Sequence, residues 1–132
     1  MNGIIYMRIS PSEKRYIGQT IKDEGTRWKQ HIEDAYGSAK RPRNTPLSCA
    51  IRKYGPDSFT VKILESGIQT PEELNEREKY WIKEYHTLIY ENKNGLNATT
   101  GGDGYAIYKN IDFQKMFDEY TRISVYALFT HK

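Results

Sequence analysis

The sequence predicts a small mixed α/β domain of the α+β kind, and three observations predict it. Two short β-prone runs, "GIIYMRI" at 3–9 and "RYIGQT" at 15–20, face each other across a polar turn. Three later segments carry a helix start signal, the first two with a glycine stop. A third β-prone run, "SFTVKILE" at 58–65, lies between the second and third of these helices.

Bulk properties narrow the class. The chain has 132 residues, enough for one domain with a core and a tail. A mean hydropathy of −0.81 excludes a membrane protein, and no apolar run approaches the ~20 residues a spanning helix needs. The single cysteine, Cys49, excludes a disulfide framework and a cysteine metal knuckle. "MNGIIYMRIS" has no basic segment followed by a long apolar region, so the expected location is intracellular. The net charge of +3 is compatible with a nucleic-acid partner, and the distribution says more than the sum. Lys40, Arg41, Arg43, Arg52 and Lys53 fall within residues 38–53, where there is no acid.

The first two strands form a hairpin through "SPSEK", whose proline and polar residues suit a turn. A turn centred near Ser12 places Tyr6 and Tyr16 on one face, with Gly18 opposite Tyr6. A slip of one residue would separate them. The first helix is expected over 26–36, with Thr26 as N-cap and Gly37 as stop. Trp28, Ile32 and Ala35 form its apolar stripe, and Arg27 and His31, four apart, share another face. "SAKRPRN" then reads as a basic loop. "TPLSCAIRKYG" is a short helix capped by Thr45, with Pro46 in its first turn and Gly55 at its end. "TPEELNEREKYWIKEY" opens on a capping box, Thr70 and Glu73, with Pro71 first in the helix. The Gly-rich stretch "NKNGLNATTGGDGY" has room for a short strand near Leu96–Ala98. The last segment has Phe113, Phe117 and Tyr120 at helical spacing, followed by the β-prone "ISVYALF".

Glu78 sits where the third helix should be apolar, on the stripe of Leu74, Trp81 and Ile82. A carboxylate there costs several kcal/mol, roughly, unless compensated. It is either one half of an internal salt bridge, to Arg27 or Arg77, or a ligand for a divalent cation. Arg27 and His31 are either a solvated face or a phosphate clamp. Tyr6 and Tyr16 either pack the sheet or supply a phenol as general base, which would need a nearby cation to ionise near neutral pH. Asn97 either serves turn chemistry or acts in a site, orienting a phosphate or tying the glycine loop down. "TTGGDGY" lacks the Lys-Ser/Thr ending of a nucleotide-binding loop, and nucleotide binding is rejected.

Taken as an ordered set, "GIIY", "YIG" ten residues on, "RWKQH", "ERE-YWI" and "GLN" resemble the GIY-YIG nuclease family. "GIIY" departs from the three-letter form by one residue. The resemblance covers residues 1–105 and leaves 106–132 as a C-terminal tail of helical or mixed character. It implies a small three-stranded antiparallel sheet flanked by helices. It also implies hydrolysis of phosphodiester bonds in double-stranded DNA with one Mg²⁺ or Mn²⁺ ion, in the homing manner of phages or large DNA viruses, inside a bacterium or an infected host cell. Residue by residue, Tyr6 and Tyr16 match the motif tyrosines, Arg27 the phosphate-contacting arginine and His31 a histidine-or-tyrosine position. Glu78 matches the metal-binding glutamate and Asn97 a site-stabilising asparagine. Lys40, Arg41, Arg43, Arg52 and Lys53 would track backbone phosphates. The family leaves open which tyrosine is the base. The alternatives are a DNA-binding module without catalysis and a restriction or repair nuclease of the same family. One site and one metal imply one strand per event, by a monomer or a weak dimer.

Overall fold

A computed structural model describes residues 1–37, 40–102 and 111–130, with side chains up to residue 122. Its elements are β1 (Gly3–Ile9), β2 (Arg15–Thr20), α1 (Glu24–Tyr36), α2 (Pro46–Tyr54), β3 (Thr60–Ile68), α3 (Pro71–Tyr85) and α4 (Phe113–Thr130), with a 3₁₀ turn at Pro56–Ser58. The three strands form one antiparallel sheet in the order β2-β1-β3. No helix among the described residues is long and apolar enough to cross a membrane.

The hairpin register pairs Tyr6 with Gly18 and Arg8 with Tyr16, so it centres on Ser12. Period-two alternation then sends Tyr6, Arg8 and Tyr16 to one face of the sheet and Ile5, Met7 and Ile17 to the other. The second set packs with Ile68, Leu74 and Ile82, under α3. On the first face lies α1, whose Trp28 and Ala35 join Leu47, Cys49, Ala50 and Ile51 of α2 with Phe59, Leu96 and Phe117. Each fully buried aliphatic or aromatic side chain there contributes about 1.5–3 kcal/mol. Gly18 is required by the register, because a Cβ at that position would collide with the Tyr6 phenol.

The caps on α2 and α3 are as expected: Thr45 accepts from Ser48 N at 3.2 Å and Thr70 from Glu73 N at 3.1 Å. Four local expectations are corrected. Helix α1 begins at Glu24, because Asp23 caps it by accepting from Thr26 N at 2.9 Å, and Thr26 lies inside the first turn. Strand β3 starts two residues later and ends three later than 58–65. Ser58 is held in the 3₁₀ turn by its hydroxyl bonds to Tyr54 O and Gly55 O, and a bulge at Leu64 carries pairing on to Ile68. Residues 96–98 form no strand; the chain there makes only isolated bridges, Arg15 to Gly95 and Leu88 to Asn97. The backbone of "ISVYALF" is helical, because α4 is already running from Phe113 and extension costs less than restarting.

Helix α4 packs on α2. Phe117 is 1% exposed, and Gln114 accepts from Arg52 Nη2 at 3.0 Å. The boundary expected at residues 105 and 106, and the end of "TTGGDGY", lie outside the described residues, as do Ser38 and Ala39 of the basic loop.

Candidate active site

The outer edge of β2 faces a cleft of about 190 Å³ that five parts of the chain enclose. Strand β2 supplies Tyr16, half-buried. Helix α1 supplies Arg27, His31 and Asp34, one stripe at spacings of four and three. Helix α3 supplies Glu78, and the loop after it supplies Leu96–Thr99. The N-terminal turn of α2, Thr45–Ser48, closes the wall, with Arg43 beside it.

The sequence-predicted residues divide on this geometry. Tyr16, Arg27, His31, Glu78, Asn97 and Arg43 line the cleft together. Tyr6 does not; it is 0% exposed, and its Oη lies 2.8 Å from His31 Nε2. Lys40, Arg41 and Lys53 are exposed and away from the cleft lining. Arg52, expected to track phosphates, is committed to the fold instead. Its guanidinium donates to Ala35 O and Arg43 O at 2.7 Å each and to Asn44 Oδ1 at 2.8 Å, so it ties α1, the basic loop and α2 together. The salt bridge considered for Glu78 is not made with Arg77, whose Nε donates to Glu65 at 2.6 Å.

Asn97 is used on both sides of its amide. Oδ1 accepts from Ile17 N at 2.9 Å and Nδ2 donates to Ile17 O at 2.8 Å. This side chain stands in for a neighbouring strand and pins the glycine loop to the edge of β2.

Burial dominates the electrostatics. It pushes Tyr6 well above the ordinary phenol value, with the neighbouring Tyr16 adding to it. Burial also raises Tyr16, to about 12; the Glu78 carboxylate adds to the rise and Arg27 opposes it. His31 is depressed to about 3 by burial first, then by Arg27, Arg8 and Arg43. The Tyr6–His31 contact therefore joins a protonated phenol and a neutral imidazole at neutral pH. Glu78, 8% exposed, is raised by burial and held back by a hydrogen bond from Gly102 N at 2.6 Å, one from Gln19 Nε2 at 3.3 Å, and the charge of Arg27.

Among the described residues no three His, Cys, Asp or Glu side chains cluster as metal ligands. A lone buried carboxylate such as Glu78 fits a divalent cation whose shell is completed by waters and phosphate oxygens. Glu78 is the residue that would hold such an ion.

Sequence reasoning missed Gln19, Asp34, Thr45, Ser48 and Gly102 as parts of this region. Two left a signal. Asp34 continues the Arg27–His31 stripe, and Gln19 is a polar residue on the strand face that Ile5 and Ile17 make apolar.

A mixed α+β scaffold with this sheet-edge cleft matches a known catalytic unit. The GIY-YIG catalytic domain aligns over residues 2–94, and the chain belongs to the GIY-YIG family. It is 32% identical over 104 residues to Intron-associated endonuclease 1 of Enterobacteria phage T4, covering 77% of this chain and 39% of that protein. The chain thus spans about two fifths of that relative's length. Its fold is that of the catalytic domain of the homing endonuclease I-TevI, with a TM-score of 0.57 and 30% identity over 72% of this chain and 96% of that one. A glutamate-to-alanine mutant of the I-TevI catalytic domain superposes with a TM-score of 0.61 and 28% identity, over 76% of this chain and 97% of that one.

Proposed function

We propose that this chain is a divalent-metal-dependent DNA endonuclease of the homing type, acting inside the cell and cutting one strand per visit of its single site. One observation carries the reading: Tyr16, Arg27, His31 and Glu78 reach one cleft from three separate elements. Arg27 binds the scissile phosphate through its planar fork and shares its developing charge. His31, neutral and fixed by Tyr6, presents an oriented imidazole. Tyr16 is the phenol that meets the cleft, and it is the one we assign as general base toward the attacking water. Its elevated pKa requires added positive charge in the occupied site, to which Arg27 already contributes. The ion held by Glu78 would supply Lewis-acid stabilisation of the phosphate and leaving oxygen. Arg43 at the cleft, with Lys40, Arg41 and Lys53 outside it, contacts backbone phosphates and sets position rather than sequence. Cutting both strands then takes two visits or two copies.

Supercoiled plasmid incubated with the purified chain tests this, in Mg²⁺ and in EDTA, beside Glu78→Ala. Nicked circles are expected only with the wild-type chain in Mg²⁺, and circular dichroism should show Glu78→Ala folded. Plasmid shifted in a gel but uncut in every lane would overturn the reading in favour of a binding module.

A further inference from the structure

The Gly-rich "TTGGDGY" lacks the Lys-Ser/Thr ending of a nucleotide-binding loop. Its two described glycines have a different use. Gly101 has φ +98° and Gly102 φ +63°, left-handed conformations that favour glycine. A Cβ on Gly101 would stand 3.0 Å from Glu78 Oε1 and 2.9 Å from Ile82 Cδ1, and one on Gly102 would stand 2.9 Å from Lys79 Cε. The turn is therefore pressed against α3 at Glu78 without room for side chains. From there Gly102 N donates to Glu78 Oε1 at 2.6 Å. From the opposite side, the α3 face of β2, Gln19 Nε2 donates to the same oxygen at 3.3 Å and to Asn75 Oδ1 at 2.8 Å. Both donors converge on Oε1; among the described residues no hydrogen bond reaches Oε2.

We infer that Gln19 and the Gly101–Gly102 turn form a clamp that fixes the Glu78 carboxylate by one oxygen and reserves the other for the divalent cation. The glycine turn thus cradles a carboxylate of the protein, not a phosphate of the substrate. Two N–H donors on one oxygen lock the rotation that a lone carboxylate on a long side chain would otherwise have. Asn75 in turn locks the Gln19 amide, by accepting its other N–H. Such outer partners set ligand orientation and typically change metal affinity by about 10–100-fold when removed. Gln19 is a positioning residue, acting through Glu78. The clamp rests on the assignment of Glu78 as metal ligand in the proposed nuclease.

The test is Gln19→Leu, which keeps volume on an apolar strand face and removes both donated bonds, with Gly101→Ala as an independent variant that crowds the turn. Mn²⁺ affinity is read by electron paramagnetic resonance titration without DNA, and nicking rate is read against Mn²⁺ concentration. Both variants should bind Mn²⁺ about tenfold or more weakly than wild type. Half-maximal nicking should shift to higher Mn²⁺ by a similar factor, while the rate at saturating Mn²⁺ falls less than about threefold and DNA retention in EDTA is unchanged. A merely structural role would lower the saturating rate and leave the Mn²⁺ constant alone, and that result overturns the clamp. An unchanged Mn²⁺ constant in a folded Gln19→Leu overturns it too. If the wild-type chain binds Mn²⁺ yet cuts nothing, the nuclease reading fails while the titration still decides the clamp. A wild-type chain that binds no Mn²⁺ overturns the clamp, whatever its action on DNA.

Discussion

The sheet face under α3 and the face under α1 are made by the same strands and are both largely buried, yet they are built from different chemistry. Under α3, Ile5, Met7 and Ile17 meet Leu74, Ile82 and Ile68. Under α1, one residue along the same strand, Tyr6 meets His31 and Arg8 meets Glu24. The Arg8 pair is bidentate, at 2.7 and 2.5 Å, and its guanidinium lies 4.2 Å over the Trp28 ring. Apolar burial is non-directional and tolerates substitution. Polar burial holds only while every partner is present. The apolar face supplies stability, and the polar face spends part of it to hold a histidine and a tyrosine in fixed orientation at the edge of the cleft.

The largest expected effect separates the two faces. Arg8→Met leaves Glu24, whose side chain is 10% exposed, without its cation and should cost about 3 kcal/mol in urea denaturation. The double variant Arg8→Met, Glu24→Leu should recover most of that, because two apolar groups replace a matched pair. Leu74→Ala on the other face should cost about 2–5 kcal/mol with no such rescue from a second truncation. A double variant as unstable as Arg8→Met alone would break the distinction between matched polar burial and cavity formation.

The same contrast explains how much was legible in the sequence. The hairpin register follows from "GIIYMRI" and "RYIGQT" with their turn, because period two and a tight loop leave few alternatives. The caps at Thr45 and Thr70 follow from local chemistry and are found. Glu78 was legible because a carboxylate interrupts an apolar stripe. The fate of Arg52 was not: its partners are carbonyls of Ala35 and Arg43 and the amide of Gln114, which only the tertiary fold brings near. Nor does Thr26 fix the start of α1, since Asp23 offers a capping oxygen three residues earlier. The burial of Tyr6 behind His31 depends on how α1 crosses the sheet, and no spacing in the sequence encodes that angle.

A smaller effect sharpens the polar side. Tyr6→Phe removes the partner of His31 Nε2 without changing shape. It should cost about 1–3 kcal/mol, the penalty of leaving a buried polar atom unpaired. A double-mutant cycle with His31→Phe isolates the pair, and the coupling should be clearly non-zero. Additive losses would mean that the 2.8 Å contact carries no energy and that burial alone orders the face.

The effect that is smallest per step is spread over pH. His31 has its folded pKa depressed to about 3 from the ordinary 6.5, so the unfolded chain takes up a proton on this residue first as pH falls. Its contribution to stability is present in full above pH 6.5 and is lost progressively as pH drops toward 3, at no more than about 1.4 kcal/mol per pH unit. Glu78 has the opposite sign: its folded pKa is raised by burial, so acidification protonates it in the folded state first and offsets part of the His31 loss. The charges of Arg27, Arg8 and Arg43, which face His31, deepen its depression. Wild type and His31→Gln, denatured by urea at pH 7, 6, 5 and 4, should therefore differ most at pH 7 and converge as pH falls. A stability difference constant with pH would show that the imidazole is hydrated in solution, and the polar face would then be less closed than the apolar face it is set against.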